Sequence, residues 1–550
     1  MSVFRAALLV GAVVCLPFLG SVGLWDPWET HYAEVGRQML ARGDLVHPYW
    51  QNAWFFSKPP LVPWISALGL FLSGAQPWAA PGVGPLPAHV EWAIRLPIAL
   101  LLIFAIALLA DAVAAHATRR AGLLTAVVLW TMPLMAFIAR QTMTDGPFVA
   151  CLLIALACVL KERWLGFFAS VGVALLAKGL LGFLPFLLVP TWWLLTEGRA
   201  AAWARVRALP PWGVPLTLAI GAPWYVAMAR FEGRDDEGRR FVERFFGHDH
   251  LERLVSGVHT TTPGGGFTYF LEQGGYALAP WAVLLLVTLT VRRTRLAALM
   301  ALTSLVTFAL FTASATRFHH YVLPVLPGVG VLLALELDEL LEHGFTERWL
   351  PGAGLVVGAL VWKDLWQRPR HLLDLFTYNH ERPYPEDVLT APFDLRRALL
   401  VGGLLVLGTL AFALWRRHAR LFVGTLVGFA LVSTLTLSWQ HWPALGRHWT
   451  QRELVQRYFS ARTAEAPLIA FLMNWKGETF YSRNAVTQIS ARDPRGELHA
   501  ALSRSPGPWF VVVEHARFGF LQGTLPPGLR ATPLEPETTN KFVLVRVDRP

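Results

Sequence analysis

The sequence predicts a polytopic α-helical membrane protein with a small α/β domain outside the membrane. Hydrophobic residues make up 54% of the 550 positions and charged residues only 15%, whereas soluble domains carry about 25% charge. The mean hydropathy is +0.43. Apolar runs recur as far as residue 437, and short β-rich runs separated by polar stretches follow. We therefore divide the chain into a membrane domain, 1–437, and a C-terminal domain, 438–550.

The lengths of the apolar runs predict about 13 spanning helices, because a bilayer crossing needs roughly 20 apolar residues. The first run carries Arg5 ahead of its apolar stretch, as a signal peptide does, but it has no convincing small-residue cleavage site. We expect an uncleaved first helix. The predicted spans are 5–24, 95–114, 122–139, 146–160, 164–177, 179–196, 211–229, 277–292, 296–313, 320–338, 349–363, 397–415 and 420–437.

A further apolar run, 61–74, is predicted to dip into the bilayer or to lie along its surface. Cytoplasmic loops carry an excess of Lys and Arg. If 61–74 crossed the bilayer, the loop at 119–120 and every later basic loop would face outward. Without that crossing, the basic loops and the N-terminus lie inside and the C-terminus lies outside. The first outer loop is then 25–94, and the long outer loop is 230–276.

The charge, cysteine and glycine patterns exclude several function classes. The net charge of +11 gathers in short loops, so membrane topology explains it better than nucleic-acid binding does. Cys15, Cys151 and Cys158 all lie in apolar runs, which argues against a disulfide framework or a thiolate metal site. Neither of the glycine-rich phosphate-binding motifs is present in its required context. A transferase acting outside the membrane would therefore use a lipid-linked donor.

The first outer loop places polar residues directly behind the first apolar segment, in WDPWETHYAEVGRQML. A carboxylate at the end of a span, such as Asp26 or Glu29, can deprotonate an acceptor hydroxyl or hold a divalent cation. Glu29 also suits the first turn of a helix, where a negative charge is favoured. His31 and Tyr32 are candidate contacts to a donor or an acceptor.

Residues 29–42 are predicted to form a short amphipathic helix on the membrane surface. Tyr32 lies in its apolar stripe, and Glu34, Arg37 and Gln38 lie off that stripe. Helices of this type lie in the interface plane with the polar face in water.

Two lysines and an aspartate are predicted to reach the same outer face. Lys58 stands in FFSKPP, and a lysine fixed by prolines suits a lipid phosphate as a point charge; snorkelling to the headgroups is the alternative. Asp145 lies in a polar turn between two spans, in ARQTMTDGPF. Lys178 interrupts the apolar ALLAKGLLGF, and a charge at membrane depth is by default a functional hypothesis.

Two further clusters combine histidine with other polar residues. Arg317, His319, His320 and Tyr321 stand at the outer end of a span, and Arg with His suits a phosphate or pyrophosphate; an interfacial belt of aromatic residues is the alternative. The long outer loop carries FFGHDHLERL and, further on, His259. In that loop His248, Asp249 and His250 are candidate donor or acceptor contacts.

A divalent cation is the only cofactor that the sequence suggests. Asp26, Glu29, His248 and His250 are weak candidate ligands, because two imidazoles at i and i+2 do not share a helix face. No other cofactor is indicated.

An ordered set of these segments resembles the lipid-carrier-dependent glycosyltransferases with the GT-C membrane fold. Nearest are the aminoarabinose transferase of lipid A and, more distantly, the protein O-mannosyltransferases. The likeness covers most of residues 5–340 and rests on LWDPWETHYAEVGRQML, FFSKPPL, ARQTMTD, AKGLLGFLP, APWYVAM, FFGHDHLERL and RFHHYVLPVLP. It implies a GT-C type fold and an inverting transfer of a sugar from a polyprenyl-phosphate carrier to a lipid A, glycan or protein acceptor.

The resemblance also implies roles for individual positions. The family's lysine before the prolines fits Lys58, which would contact the lipid phosphate, and its second acidic site fits Asp145. The family carries an acidic pair before Tyr-Ala-Glu. Here Glu29 fits the second position, but Trp28 occupies the first, so Asp26 is a candidate replacement.

A serine, Ser57, stands where the aminoarabinose enzyme has an acidic residue. This departure weakens the expectation that aminoarabinose itself is the sugar. The expected partners are a polyprenyl-phosphate-linked sugar, the bilayer and an acceptor lipid, glycan or protein, with no nucleic acid. The expected location is a bacterial inner membrane, with the site on the extracytoplasmic side.

Two alternatives share the multi-span body and the embedded charges. One is a transporter or flippase for lipid-linked sugars, although no internal repeat of the kind many transporters carry is visible. The other is a non-catalytic partner in envelope polysaccharide synthesis.

Overall fold

The computed structural model describes the chain except for residues 76–83, 88, 253–254, 256–265, 292, 375–393, 464–465, 474, 535–538, 540 and 550. The helices up to residue 230 are Val3–Cys15 (α1), Trp28–Arg42 (α2), Leu61–Leu72 (α3), Val90–His116 (α4), Arg119–Trp130 (α5), Pro133–Ile138 (α6), Asp145–Leu160 (α7), Trp164–Lys178 (α8), Leu184–Glu197 (α9), Arg199–Arg207 (α10) and Gly213–Arg230 (α11). A π-helical segment, Glu243–Glu252, follows in the long outer loop.

The remaining helices of the membrane domain are Gly266–Leu278 (α12), Arg295–Ala313 (α13), Leu326–His343 (α14), Trp349–Gln367 (α15), Arg370–Asp374 (α16), Leu395–Trp415 (α17) and Ala419–Thr436 (α18). The helix Trp442–Gly446 (α19) ends the apolar stretch that begins with α18. The C-terminal domain adds Arg452–Ala461 (α20), Gly477–Tyr481 (α21), Pro494–Ser503 (α22) and Phe518–Thr524 (α23).

The helix lengths make the chain a multi-span membrane protein. Within the described residues, six stretches are long and apolar enough to cross a bilayer, or seven if one sharply bent pair counts as a span. Three shorter apolar helices, α1, α3 and α7, accompany them. The predicted fold class is confirmed, and the number of about 13 spans stays a prediction.

The stretch Trp164–Glu197 folds back on itself as a helical hairpin. The rings of Trp164 and Trp193 lie 6.1 Å apart, whereas a straight helix would separate them by about 43 Å at 1.5 Å per residue. A short 3₁₀ turn, Gly179–Phe183, joins α8 to α9. Gly179 has φ +64°, and a Cβ there would lie 2.8 Å from Nε2 of His250, so only glycine suits the turn. The two helices therefore match the two predicted runs, and Lys178 stands at the turn between them.

Two predicted spans are wrong as single regular helices. The run 277–292 is broken at Ala279–Pro280, where α12 ends and two 3₁₀ segments, Trp281–Leu284 and Leu286–Thr290, continue at a bend of 110°. The run 122–139 is broken between α5 and α6 at Pro133. Proline lacks the amide hydrogen that a continuing helix needs, which explains both breaks.

The run 61–74 forms the 12-residue helix α3. Its length is about 18 Å at 1.5 Å per residue, well short of the roughly 30 Å hydrocarbon core. The helix packs against α2 and α4. This length favours the prediction that the run does not cross the bilayer.

Predicted inner loops come together at one end of the helix bundle. Arg205 pairs with Glu162 and Glu197, and Arg295 also pairs with Glu197. His116, at the end of α4, lines the same small cavity as both arginines. Loops that the charge pattern assigns to one side of the membrane therefore do lie side by side.

The C-terminal domain is built on a five-stranded mixed sheet with the strand order β4-β3-β5-β7-β6. The first outer loop holds a separate hairpin of Tyr49–Trp50 (β1) and Ala53–Trp54 (β2). β3 pairs in parallel with β4 and β5, and β7 pairs antiparallel with β5 and β6. The strands of the five-stranded sheet are Leu468–Phe471 (β3), Val486–Ile489 (β4), Trp509–Glu514 (β5), Arg530–Pro533 (β6) and Phe542–Asp548 (β7).

The predicted strand runs 468–473, 509–513 and 542–547 coincide with β3, β5 and β7. The two missed strands, β4 and β6, form the edges of the sheet and read VTQI and RATP. They are short and largely polar because an edge strand has one neighbour and a wetter face.

The C-terminal domain docks on the start of the first outer loop. The backbone amide of Leu24 donates to the hydroxyl of Tyr481 at 2.6 Å, and that hydroxyl donates to Glu91 at 3.1 Å. Arg452 lies 3.6 Å from the same carboxylate of Glu91. The domain therefore covers the end of the bundle that carries the first outer loop.

Helix α2 is not the surface helix that its pattern predicts. Glu34 is fully buried, and its carboxylate accepts from Arg37 at 2.7 Å and from Gln38 at 2.8 Å. One face of α2 packs on α3 and another on α21. The polar residues off the apolar stripe are covered by protein and bond to one another, which the pattern of a single helix does not reveal.

Candidate active site

A cavity of about 510 Å³ opens at the end of the bundle opposite the basic loops. Its walls come from the first outer loop, the start of α7, the end of α8, the 3₁₀ segment His319–Val325 with Phe318 before it, the long outer loop and the C-terminal domain. Of the predicted site residues, the walls include Tyr32, Tyr321 and five charged or imidazole side chains. The charged and imidazole side chains of the walls are His31, Lys58, Asp145, Lys178, Asp235, Asp236, Arg244, His320 and Lys476.

Asp145 and Lys178 form an ion pair in the membrane-side wall of the cavity. Asp145 is the first residue of α7 and Lys178 the last of α8, and these two helices pack along their length. Nε2 of His320 lies 3.8 Å from the other oxygen of Asp145. The ammonium of Lys178 also lies 5.1 Å from the ring centroid of Tyr321. The sequence predicted all four residues, and the hairpin at Gly179 is what brings Lys178 to Asp145.

Lys58 lines the cavity at the start of α3, where two prolines follow it. Pro59 and Pro60 fix the backbone φ angles, so the lysine leaves a rigid segment. Its positive charge acts on Asp145, on His31 and on His320. Lys58 therefore stands between the membrane-side ion pair and the outer part of the cavity.

Aromatic rings cover much of the cavity wall. His31 is enclosed by Trp50 at 4.7 Å and Phe55 at 4.6 Å between ring centroids. Burial, with the positive charges of Lys476 and Lys58, holds the pKa of His31 well below its usual value. The imidazole is therefore neutral at pH 7. Flat rings of this kind suit the apolar faces of a sugar, and a neutral imidazole suits its hydroxyls.

Glu29 lies outside the cavity wall, in a fully occupied network. Its carboxylate accepts from Arg95 at 2.9 and 2.6 Å, from the amide of Thr142 at 2.8 Å and from the amide of Trp25 at 2.9 Å. Both residues of the ion pair are at most 1% exposed. In this structure Glu29 ties the first outer loop to α4 and to the turn before α7.

Asp26 also lies outside the cavity wall, at the seam with the C-terminal domain. Its carboxylate accepts from Thr30, from Gln451 Nε2 at 2.8 Å and from the backbone amide of Lys476 at 3.2 Å. Burial raises its pKa to about 6, against the lowering effect of these hydrogen bonds. Of the three carboxylates predicted to be catalytic, only Asp145 reaches the cavity.

The other residues of the His-rich span end stand beside the cavity. His319 packs its ring 5.2 Å from that of His320, and Trp28 lies 6.3 Å from His319. Arg317 is half-buried and, like His319, does not line the cavity. Trp28, which replaces the first acid of the expected pair, does line it and stacks edge-on against His320 at 5.2 Å.

The histidines of the long outer loop turn to different protein partners. Nδ1 of His248 lies 2.5 Å from Glu252, and Nδ1 of His250 lies 2.7 Å from the carbonyl of Phe245. Asp249 lies 3.4 Å from the guanidinium of Arg244. None of the three lines the cavity. His259 falls outside the described residues.

A metal site is not formed by the predicted ligands. Across the described part of the chain, no group of three or more His, Cys, Asp or Glu side chains could hold a metal ion. Asp26 and Glu29 take hydrogen bonds from protein donors, and His248 and His250 face different ways. Among the residues that the structure describes, the predicted ligands therefore do not form a site for a divalent cation.

Among the cavity residues that the sequence reasoning missed, five come from the long outer loop and the C-terminal domain. Arg244 reaches Asp249, Glu237 at 2.6 Å and Asp235 at 3.7 Å, and lies 3.4 Å from the hydroxyl of Ser57. The others are Asp235, Asp236, Trp475 and Lys476. The cluster RDDEGRR did signal polarity in the outer loop. Lys476 had no local signal, because its place depends on how the C-terminal domain docks.

Comparison with known proteins fits this architecture. A family profile described as dolichyl-phosphate-mannose-protein mannosyltransferase matches residues 57–226. The crystal structure of ArnT from Cupriavidus metallidurans bound to undecaprenyl phosphate superposes with a TM-score of 0.70 at 23% identity, covering 99% of this chain and 97% of that one. The predicted fold class is thereby confirmed, and the family profile and the relatives of similar sequence support the predicted superfamily of lipid-carrier-dependent glycosyltransferases.

Relatives of similar sequence carry one name, undecaprenyl phosphate-alpha-4-amino-4-deoxy-L-arabinose arabinosyl transferase. That of Pseudomonas fluorescens (strain Pf0-1) is 26% identical over 59% of this chain and 57% of its own length. That of Erwinia tasmaniensis is 28% identical over 52% of this chain and 50% of its own. In Edwardsiella ictaluri the match, at 26%, reaches 78% of this chain and 75% of the relative. This chain thus spans little more than half the length of the first two.

Proposed function

We propose that this protein is an inverting glycosyltransferase that moves a sugar from a polyprenyl-phosphate carrier to an acceptor outside a bacterial inner membrane. The observation that carries the proposal is the cavity itself. Lys58 and the Asp145–Lys178 pair stand at its membrane side, and aromatic rings form its outer wall. A lipid phosphate could reach the lysines from the bilayer while the sugar lies among the rings.

The comparisons support an undecaprenyl carrier. The matched relatives are named for an undecaprenyl-phosphate donor, and the superposed crystal structure was solved with undecaprenyl phosphate. We propose the same class of carrier here. The acceptor classes remain those of the sequence prediction, lipid A, an envelope glycan or a protein.

The proposed step is a single displacement at the anomeric carbon. An acceptor oxygen forms the new bond to that carbon, and the bond from the carbon to the phosphate oxygen breaks with its electron pair leaving on the phosphate. Lys58 stabilises the charge that grows on the departing phosphate, because preformed positive charge acts strongly in a site with little water. One displacement inverts the anomeric configuration.

Asp145 is the carboxylate that we assign to the acceptor side of this step. Lys178 and His320 hold it in place, and Asp26 and Glu29 are engaged elsewhere. A hydroxyl acceptor would pass its proton to Asp145 as the bond forms. A phosphate acceptor is already ionised and needs no base, and Asp145 would then orient the sugar hydroxyls.

The test is transfer from radiolabelled undecaprenyl-phosphate sugars by the purified chain in lipid nanodiscs with total envelope lipid and glycan as acceptors. We expect label to leave the carrier in wild type and to stay on it in Lys58→Ala and Asp145→Asn. The matched controls are Lys161→Ala and Asp111→Asn, which break an ion pair at the far end of α7. Carrier binding without turnover under all acceptors would favour a transporter or partner, and absence of carrier binding would sink the proposal.

The outward orientation has its own test. Gly519 lies in the C-terminal domain, and a Cβ there would meet nothing within 4 Å. In a variant without native cysteines, Gly519→Cys should react in intact cells with a maleimide that does not cross the inner membrane. Reaction only after the inner membrane is broken would place that domain in the cytoplasm and contradict the proposed topology.

A further inference from the structure

We propose that the C-terminal domain supplies Lys476 to this site as the binding residue for an anionic group, a carboxylate or phosphate, carried by the sugar or by the acceptor. This inference rests on the proposed function, since it names the substrate chemistry of the same cavity. It also gives the C-terminal domain a direct part in substrate recognition.

Lys476 stands at the seam between the two domains. It directly precedes α21 and follows Trp475, and both residues line the cavity. Its ammonium lies 3.9 Å from the ring centroid of Trp50, in the hairpin of the first outer loop. Gln51, in the same hairpin, donates to Thr479 at 3.2 Å. The lysine is therefore held at the outer wall by both domains.

The ammonium of Lys476 has no ion-pair partner among the described residues. Other cations of the cavity differ in this respect, since Lys178 pairs with Asp145 and Arg244 with Glu237. A cation–π contact is a modest attraction, and it replaces only part of the hydration that the half-buried ammonium loses. The ammonium of Lys476 can therefore still bind an anion, and it faces the space where a substrate would lie.

The acids nearest to Lys476 are turned towards other donors. Glu478 accepts from Gln451 at 2.8 Å and from Gln488 at 3.1 Å, and Asp26 accepts from Gln451 and Thr30. Burial and the neighbouring Asp26 raise the pKa of Glu478 above its usual value. Burial lowers the pKa of Lys476, and the negative charges of Glu478, Asp26 and Asp236 oppose that lowering. These neighbours therefore offset the charge of the lysine only in part.

Two separate cations flank His31, and a donor phosphate satisfies only one of them. Lys58 and Lys476 both act on His31 from the cavity side. Lys58 stands three residues before the membrane-side helix α3, whereas Lys476 lies on the outer domain. A polyprenyl-phosphate sugar carries a single phosphate, which Lys58 would take. The second cation then points to a second anionic group in the substrates.

The opposing explanation is that Lys476 only joins the domains by stacking on Trp50. The chain offers a matched control for that role. Lys541, also in the C-terminal domain, lies 4.0 Å from the ring centroid of Trp475 and is buried, but it does not line the cavity. If stacking on tryptophan were the whole role, both lysines would matter for stability alone.

The first experiment measures binding of glucose, glucuronate and glucose 6-phosphate to the full chain in nanodiscs saturated with undecaprenyl phosphate. We expect wild type and Lys541→Met to bind the two anionic sugars about tenfold more tightly than glucose, because a hydrogen bond between charged groups is stronger than one between neutral groups. Lys476→Met should lose this preference and Lys476→Arg should keep it. An unchanged preference in Lys476→Met, or none in wild type, would overturn the proposal.

A second arm decides whether the anion belongs to the sugar or the acceptor. Undecaprenyl-phosphate glucose and undecaprenyl-phosphate glucuronate are compared as ligands. If Lys476→Met weakens the binding of the glucuronate donor alone, the anionic group belongs to the sugar. If Lys476→Met binds both donors as wild type does and loses only the binding of the soluble anions, the anionic group belongs to the acceptor. If wild type does not bind undecaprenyl phosphate, the proposed function is wrong. The binding of the soluble sugars, measured again without the carrier, would still test the role of Lys476. Melting temperatures of the two methionine variants exclude unfolding as a common cause.

Discussion

Two buried acid–base pairs lie beside the same turn before α7, and only one of them opens to the cavity. Glu29 and Arg95 are at most 1% exposed, and Glu29 also accepts from the amide of Thr142 in that turn. Asp145, just beyond the turn, pairs with Lys178, which is 14% exposed and lines the cavity. The pairs use the same chemistry and differ in what surrounds them.

The closed pair has no bonding capacity left for a substrate. Arg95 gives hydrogen bonds to Glu29 and to the carbonyls of Leu19, Val22 and Gly23, which uses all five of its N–H groups. The open pair leaves Asp145 within reach of the cavity, with His320 at 3.8 Å. Whether an embedded charge is structural or functional is therefore decided by how many of its bonds the protein itself fills.

The largest effect on stability is expected from breaking the closed pair. Glu29→Gln or Arg95→Met alone should lower the free energy of unfolding by about 3–5 kcal/mol, because each leaves an uncompensated buried charge. The double variant should lose less than the sum of the two. Thermal unfolding in detergent measures this. A Glu29→Gln protein that has the melting temperature of wild type but has lost turnover would contradict this comparison. Glu29 would then again be a candidate catalytic residue.

Breaking the open pair should do the reverse. Asp145→Asn should lower turnover by about 100-fold or more if the carboxylate takes a proton in the step. Its unfolding free energy should change by only about 1 kcal/mol, because cavity water can solvate Lys178. The measurement is turnover and melting temperature on one preparation, and a large loss of stability without loss of turnover would refute the distinction.

The local patterns named residues that the structure brings together in the cavity wall where their positions follow from the order of the helices. Asp145, Lys178 and His320 all stand at helix ends, and helix ends on one side of a membrane must meet. The loops that the charge pattern assigned to one side do lie together, as Arg205, Glu162 and Arg295 show. The three hydrophobic strands of the C-terminal domain were likewise visible from composition.

What the sequence could not reveal are partners far apart along the chain. The role of Glu29 depends on Arg95, which is 66 residues away, and that of Lys476 on the docking of a whole domain onto Trp50. The burial of Glu34 depends on α3 and α21 packing around α2. In each case the local pattern was correct as far as it reached, and tertiary packing decided the outcome.

Asp26 is an intermediate case, buried and well bonded but without a cation on its oxygens. Its folded pKa of about 6 lies above the ordinary value of 3.8, so the folded state holds its proton more tightly than the unfolded state does. Its contribution to stability is therefore present below about pH 4 and is lost as pH rises through 6. The loss is at most about 1.4 kcal/mol per pH unit.

The predicted loss of stability with rising pH can be tested by comparing wild type with Asp26→Asn, whose side chain does not ionise. The difference in melting temperature between wild type and Asp26→Asn should shrink as pH rises from 4 to 7, because only wild type acquires the buried charge. Melting curves at half-unit pH steps measure it. A difference that grows with pH would mean that the ionised carboxylate stabilises the domain seam, as Glu29 stabilises α4.

The smallest effect is expected at the other end of α7, and it tests whether exposure rather than charge sets the scale. Lys161, just after α7, pairs with Asp111, and the two side chains are 20% and 35% exposed. A pair in contact with water is worth about 0–1 kcal/mol. Lys161→Met should therefore change the unfolding free energy by less than about 1 kcal/mol and leave turnover intact. A cost as large as that of Glu29→Gln would show that any ion pair on this helix is structural, and the contrast between the closed and open pairs would then lose its meaning.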